Sequence, residues 1–256
     1  MKNIIEGKGI SFSYDGSEVI KNVDISISDG RFIGLLGANG SGKSTLLKIL
    51  SGILNIKNGK IFYENKELRH ISKREVARRI SYVPQNSTFG FPFTVSEVIQ
   101  MGRAPYIGRF EFEGERDREI VSNVMETLGL FHLQDRLVTE ISGGERQLTS
   151  LARALAQEPE IMILDEPATF LDFKHKTELF KILWKLKEER QISILAATHD
   201  IFSSLSFFDE IIILKDGEIF AKGNLEEVLT GEILSEAYGT EVRVKNDNGR
   251  IFVYPA

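Results

Sequence analysis

Phe32-Ile33-Gly34-Leu35-Leu36-Gly37-Ala38-Asn39-Gly40-Ser41-Gly42-Lys43-Ser44-Thr45 is the stretch from which the rest of the chain can be read. The uncharged run Phe32–Leu36 predicts a strand buried on both faces. The apolar spacing further on predicts a helix beginning near Ser44. Between them, Gly37 to Ser44 fits G-x-x-x-x-G-K-[ST], a turn built to cradle phosphates. Glycines let the backbone curl so that successive N–H groups face an anion. The helix start adds roughly half a positive charge. Lys43 is placed to bridge the β- and γ-phosphates, and the Ser44 hydroxyl to ligate Mg²⁺. Gly37, Asn39, Gly40, Ser41, Gly42, Lys43, Ser44 and Thr45 form the expected nucleotide-binding set.

Outward from this loop, short apolar runs alternate with longer amphipathic stretches, which predicts an α/β fold with a mostly parallel core sheet. Upstream, Asp15-Gly16 and Asp29-Gly30 punctuate alternating segments such as 23–27, the pattern of an N-terminal antiparallel β part. Downstream, strands are predicted at 60–63, 80–83, 161–164, 193–197 and 211–214, and a short basic helix at 67–79. Lys215-Asp216-Gly217-Glu218 reads as a hairpin turn, followed by a less regular tail. Helical patterns at 95–101, 116–128 and 145–157 predict an inserted α-helical subdomain, 86–158, within a core of 1–85 and 159–256. The whole, 1–256, is expected to be one domain.

In open parallel sheets, ligands bind beyond the carboxyl ends of the strands. The predicted core strands end in the phosphate loop, at Pro84-Gln85, at Asp165-Glu166 and at Thr198-His199-Asp200. All would point into one crevice. Asp165 is placed to hold Mg²⁺, through water, together with Ser44 and Gln85. Glu166 is free to polarise an attacking water as general base. A helix N-cap before Pro167 is the plainer reading of either carboxylate. His199 reads as a turn histidine or as a donor to the γ-phosphate, and its place at a strand end favours the donor. Gln85, by the same placement, contacts Mg²⁺ or water, so Gln85, Glu166 and His199 are the expected catalytic set.

Ile141-Ser142-Gly143-Gly144-Glu145-Arg146-Gln147 opens another helical pattern and so offers a second anion-binding helix start. In chain order, the phosphate loop, Gln85, Ser-Gly-Gly-Glu, Ile-Leu-Asp-Glu-Pro, Leu171-Asp172 and His199 resemble an ATP-binding-cassette domain over almost the whole length. The resemblance implies the P-loop ABC ATPase fold, ATP and Mg²⁺ as cofactors, and a head-to-tail pair of identical chains. Ser142, Gly143, Gly144, Glu145 and Asp172 of one copy would then contact the ATP held by the other. Tyr14 matches the aromatic that stacks on adenine, while packing on the core is its plainer reading. Ile141 and Glu145 stand where Leu and Gln are commoner, and Ala168 where Thr is frequent; none of the three removes a phosphate contact.

The segment after Gln85, 88–95, carries Phe89, Phe91 and Phe93 and leads into Met101-Gly102-Arg103-Ala104-Pro105-Tyr106 and Gly108-Arg109-Phe110. These strings are similar to ATPases that import iron-siderophores, haem and cobalamin. The three phenylalanines read either as buried aromatics or as a docking surface for a permease. The basic residues of 68–79 read as a solvated face, or as one turned to anionic lipid or a permease. The resemblance implies separate transmembrane permease subunits, an extracytoplasmic substrate-binding protein acting indirectly, and a peripheral place on the cytoplasmic face of the membrane. A non-transport cofactor- or cluster-assembly ATPase, or the ATPase of another transporter class, stays open beside it.

Composition agrees with these expectations. A net charge of −5 gives no basic footing for nucleic acid. The absence of cysteine excludes a disulfide framework or a thiolate metal site and fits a reducing compartment. A membrane-spanning helix needs roughly 20 apolar residues, far more than the runs at 32–36, 161–164, 192–197 and 211–214 supply. The first six residues lack the apolar stretch of a signal peptide.

Overall fold

In the structure, a computed structural model, residues 2–86, 89–108, 111–199, 204–247 and 250–255 are described. Thr88, Arg109, Phe110 and Asp200, named above, lie outside the described residues. The strands are β1 (Asn3–Tyr14), β2 (Ser17–Ser28), β3 (Phe32–Leu36), β4 (Asn58–Tyr63), β5 (Lys66–Glu67), β6 (Ile80–Val83), β7 (Ile161–Asp165), β8 (Ser193–Ala197), β9 (Glu210–Lys215), β10 (Glu218–Gly223), β11 (Val242–Asp247) and β12 (Arg250–Pro255). A six-stranded sheet in the order β10-β9-β3-β8-β7-β6 forms the centre. From β9 to β6 neighbouring strands run parallel. Only the edge strand β10 is antiparallel to its neighbour in this sheet. A second sheet, β2-β1-β4-β5, is antiparallel throughout, as expected for the N-terminal part.

Every residue of β3, β7 and β8 is buried, and their period-2 alternation splits the core into two layers. Phe32, Leu36, Met162, Leu164, Ile194 and Ala196 belong to one hydrophobic cluster. Their sequence neighbours Ile33, Leu35, Ile161, Ile163, Leu195 and Ala197 belong to the other. On the second face pack α1 (Lys43–Leu50), through Leu46, Leu47, Ile49 and Leu50, and the antiparallel sheet. On the first face pack α3 (Val95–Gln100), α4 (Glu115–Thr127), α5 (Gly143–Leu155) and α6 (Phe173–Arg190).

Three expectations change. The basic segment 67–79 is not one helix: a single 3₁₀ turn, Leu68–His70, precedes α2 (Lys73–Arg79), whose start is capped by the Ser72 hydroxyl. The tail is regular, with β10, α7 (Leu225–Val228), α8 (Gly231–Tyr238) and the β11–β12 hairpin. The 18-residue α6 went unread in the sequence because its buried stripe, Leu179, Phe180, Leu183 and Leu186, is blurred by Ile182 and the half-exposed Trp184.

The string 101–106 proves to be a structural clamp. Arg103 is 2% exposed, donating from Nε to Asp117 Oδ1 at 2.9 Å and from Nη1 to Ala156 O at 2.7 Å and Glu158 Oε2 at 3.0 Å. Its guanidinium lies 4.0 Å from the centre of the Tyr106 ring. Gly102 is required here: a Cβ would sit 2.2 Å from Arg153 O. Arg74 and Arg78 of α2 donate to Pro105 O at 2.7 and 2.9 Å, so these two basic side chains fasten a neighbouring segment rather than form a purely solvated face. Phe89 packs on the core, as the buried-aromatic reading has it, whereas Phe91 and Phe93 are exposed and stand edge-on to each other with ring centres 6.0 Å apart.

Removing Arg103 would take the donor from the buried Ala156 O and empty the space its side chain fills, while Asp117 and Glu158 stay in contact with water. Arg103→Ala should lower the unfolding free energy by about 2 kcal/mol in a urea titration, the scale of a buried acceptor left without its donor. A loss below about 0.5 kcal/mol, the level of an ordinary surface change, would show that the buried cluster does not hold the segment.

Candidate active site

The phosphate loop joins β3 to α1 at the carboxyl edge of the parallel array. Gly42 is the N-cap of α1 with φ 103° and makes no side-chain cap, so the first-turn amides have no side-chain acceptor there. At Gly37 a Cβ would meet Leu214 O at 2.2 Å, which reserves the position for glycine. The β9–β10 turn buttresses the loop from behind, the Gly217 N–H donating to Ser41 O at 3.1 Å. Ser41 Oγ is buried with no hydrogen-bond partner. Lys43 folds back over the loop, its Nζ donating to Gly37 O at 2.8 Å and Ala38 O at 3.0 Å. Burial pushes its pKa below the ordinary lysine value, against the pull of the Glu166 and Asp165 charges.

Asp165 ends β7 opposite Ala197 of β8 and is 3% exposed. Each of its oxygens accepts one neutral hydroxyl: Ser44 Oγ donates to Oδ1 at 3.0 Å and Tyr82 OH to Oδ2 at 3.1 Å. Burial pushes the Asp165 carboxyl above its usual range, and these two hydrogen bonds pull it back. The Tyr82 phenol is pushed up by burial and then by the Asp165 charge, so it stays a neutral donor.

Glu166 adopts a left-handed backbone, φ 48°, which for a residue with a Cβ costs about 1–3 kcal/mol. Its N–H donates to Ala197 O at 3.0 Å. Three groups converge on one carboxylate oxygen, Oε2. Gln85 Nε2 donates at 2.7 Å, Thr169 Oγ1 donates at 2.9 Å, and His199 Nδ1 lies 3.1 Å away. Gln85, Glu166 and His199, far apart in sequence, therefore meet at one point.

Asn39, Gly40, Gly42, Lys43, Ser44 and Thr45 line an open cleft of ≈570 Å³ together with Gln85, Glu166 and His199. Asp165 sits behind it. Tyr14 is not in that lining; it stands 44% exposed at the end of β1, edge-on at 4.8 Å to Phe12, which packs against the core. Two residues were missed in the sequence. Tyr82 could have been suspected as a hydroxyl one residue from the end of a strand paired with β7. Thr169 lies one position past Ala168 and brings a hydroxyl to Glu166.

Ser142, Gly143, Gly144, Glu145 and Asp172 line a different cavity, of ≈610 Å³, and none of them lines the cleft. Ser142 caps α5 in a reciprocal box with Glu145, whose carboxylate accepts the Ser142 N–H at 2.8 Å and is held below its usual range by that bond. Asp172 caps α6, accepting from His175 N at 2.9 Å, with His175 Nδ1 at 2.8 Å. Phe170 and Phe173, flanking Leu171-Asp172, are exposed.

Residues 20–169 match the family described as "ABC transporter". The chain is 35% identical over 243 residues to the ferric enterobactin transport ATP-binding protein FepC of Escherichia coli (strain K12), covering 95% of this chain and 90% of that protein. Its fold matches a metal-chelate type ABC transporter solved in an inward-facing conformation, with TM-score 0.85 and 25% identity over 99% of this chain and 98% of that one. A bacterial ABC transporter cassette solved as a dimer, and in a post-hydrolysis state bound to ADP and Pi, matches with TM-score 0.76 and 28% identity over 86% of this chain and 98% of that one. The matched residues hold the phosphate loop, the paired strand-end carboxylates and the Ser-Gly-Gly helix start, and on that ground the chain belongs to the ATP-hydrolysing, ATP-binding proteins of the ABC transporter family.

Proposed function

We propose that this chain is the ATP-hydrolysing subunit of an importer for an iron-siderophore, haem, cobalamin or related metal chelate. In it MgATP lies between two head-to-tail copies, and hydrolysis drives a separate permease. The observation that carries the two-chain part is the division of the site. Lys43, Gln85, Glu166 and His199 share one cleft, while Ser142, Gly143, Gly144 and Asp172 line another. A second copy, turned head to tail, brings its Ser-Gly-Gly helix start to the first copy's γ-phosphate and covers the exposed Phe170 and Phe173. Glu145, engaged with Ser142, orders that helix start at the contact.

On binding, Lys43 exchanges the Gly37 and Ala38 carbonyls for the β- and γ-phosphates, and Ser41 gains a partner for its buried hydroxyl. Tyr14 stacks on the adenine. The Asp165 carboxyl suits a hard cation: its direct partners are two neutral hydroxyls, and burial outweighs them and the Lys48 charge in raising its pKa. Among the described residues no three His, Cys, Asp or Glu gather into a cage. Mg²⁺ would therefore be held by Ser44 and, through water, by Asp165 and Gln85, with phosphate oxygens completing the shell. Bound there it supplies neutralisation of phosphate charge. Gln85 would turn from Glu166 towards the metal site and His199 towards the γ-phosphate. Glu166 Oε2, freed of them, would take a proton from the water as that water bonds to the γ-phosphorus and the bond to the ADP oxygen breaks.

Support for import comes from the likeness to FepC and to the metal-chelate transporter. The exposed Met101 beside Pro105, Ile53 and Tyr82 lines a groove of ≈600 Å³ suited to a helix of the permease. No helix among the described residues is long and apolar enough to cross a membrane. The permease would hold the chain at the cytoplasmic face, with an extracytoplasmic binding protein delivering the cargo.

Two outcomes are expected. ATP turnover per chain should rise with protein concentration as sites are completed by pairing, and a value that stays flat on dilution would contradict shared sites. Cells producing Glu166→Gln in place of the parent should lose accumulation of a labelled ferric or cobalt chelate by at least about 100-fold. Unchanged accumulation of every chelate tried, with ATPase activity lost, would remove the importer assignment and leave the ATPase.

A further inference from the structure

We infer that Tyr82 is a positioning residue for the metal-holding carboxylate, its phenol fixing Asp165 so that Oδ1 is presented with Ser44 to the cation. This rests on the Mg²⁺ role given to Asp165 above. β6 pairs with β7 in parallel, Tyr82 opposite Ile163, and the tyrosine side chain is long enough to reach past the strand end to Oδ2 at 3.1 Å. Ser44 occupies Oδ1 at 3.0 Å. With one donor on each oxygen and 3% exposure, the carboxylate plane cannot turn without stranding a buried acceptor.

The chemistry of the donor matters. A lysine or arginine at this place would neutralise Asp165 and compete with the cation. A phenol, an uncharged donor at ordinary pH, orients the carboxylate and leaves its charge available. A residue without a donor would free Oδ2, and the carboxylate could rotate to accept from Ser44 through either oxygen, withdrawing the hydroxyl from the metal. Tyr82 does not line the nucleotide cleft. Its ring forms part of the wall of the groove beside Met101 and Pro105, so the ring and the hydroxyl have separable duties.

Tyr82→Phe keeps the ring and removes only the donor. Binding of a fluorescent ATP analogue to the full chain is measured in EDTA and across a Mg²⁺ titration, for the parent, Tyr82→Phe and Asp165→Asn. Affinity in EDTA should stay within about twofold of the parent for Tyr82→Phe, while the Mg²⁺ concentration at half-maximal enhancement rises about tenfold, the scale of losing an outer-shell partner. ATP turnover by Tyr82→Phe should recover at high Mg²⁺. An unchanged Mg²⁺ midpoint in Tyr82→Phe, with a shifted one in Asp165→Asn, overturns the inference alone. An unchanged midpoint in both overturns the Mg²⁺ role of Asp165 as well. Equal loss with and without Mg²⁺ assigns the hydroxyl to packing and also overturns it.

Discussion

Burial of the central parallel strands on both faces governs where polar chemistry can stand in this protein. Within β3, β7 and β8 each apolar side chain meets one cluster or the other, so a charge placed among them, short of a strand's end, would be buried without water. The strands run parallel, and their carboxyl ends lie along one edge. Asp165 is the last residue of β7 and Glu166 the first beyond it, turned by its left-handed backbone. Gln85 and His199 each lie two residues beyond the ends of β6 and β8. The cleft is thus a consequence of the core: the same pattern that fills the two layers delivers its polar residues at one rim.

At that rim the polar groups satisfy one another. Lys43 uses loop carbonyls, and Glu166 Oε2 collects Gln85, Thr169 and His199. Hydrogen bonds to a charged acceptor contribute about 1.5–3 kcal/mol each, so this arrangement gives up its bonds only to a ligand that replaces them. In the proposed mechanism the phosphates and Mg²⁺ are that ligand. The second cavity has the same character. Ser142 and Asp172 each cap a helix, and both would exchange a local role for a contact with the opposing chain's nucleotide.

The readable parts of the fold were those written locally. The phosphate loop, the Asp165-Glu166 strand end, the Ser-Gly-Gly helix start and the 215–218 turn each lie within a few residues. Their chemistry fixes their geometry. Tyr82 escaped because it reaches Asp165 only through the pairing of β6 with β7, a contact between distant parts of the chain. Thr169 escaped because its hydroxyl meets Glu166, three residues back, only through the turn that the left-handed Glu166 backbone opens. Glu145 stood in the sequence as a departure from a commoner glutamine, and the structure gives it a local task, closing the cap on α5. The 101–106 string carried a resemblance, yet its glycine and arginine answer to a clash with Arg153 O and to the partners of a buried arginine. The regular tail and α6 were lost for another reason: short elements and a blurred apolar stripe carry too little periodicity to be told from irregular chain.

The central claim is that a nucleotide site is finished by a second copy of the chain. Its most direct measurement is the solution mass of Glu166→Gln by light scattering with MgATP, alone and combined with Ser142→Arg. The account predicts twice the monomer mass and two bound ATP per pair for Glu166→Gln. For the double variant it predicts a return to the monomer mass with ATP still bound at the phosphate loop. A Glu166→Gln chain that binds MgATP fully and keeps the monomer mass would contradict it.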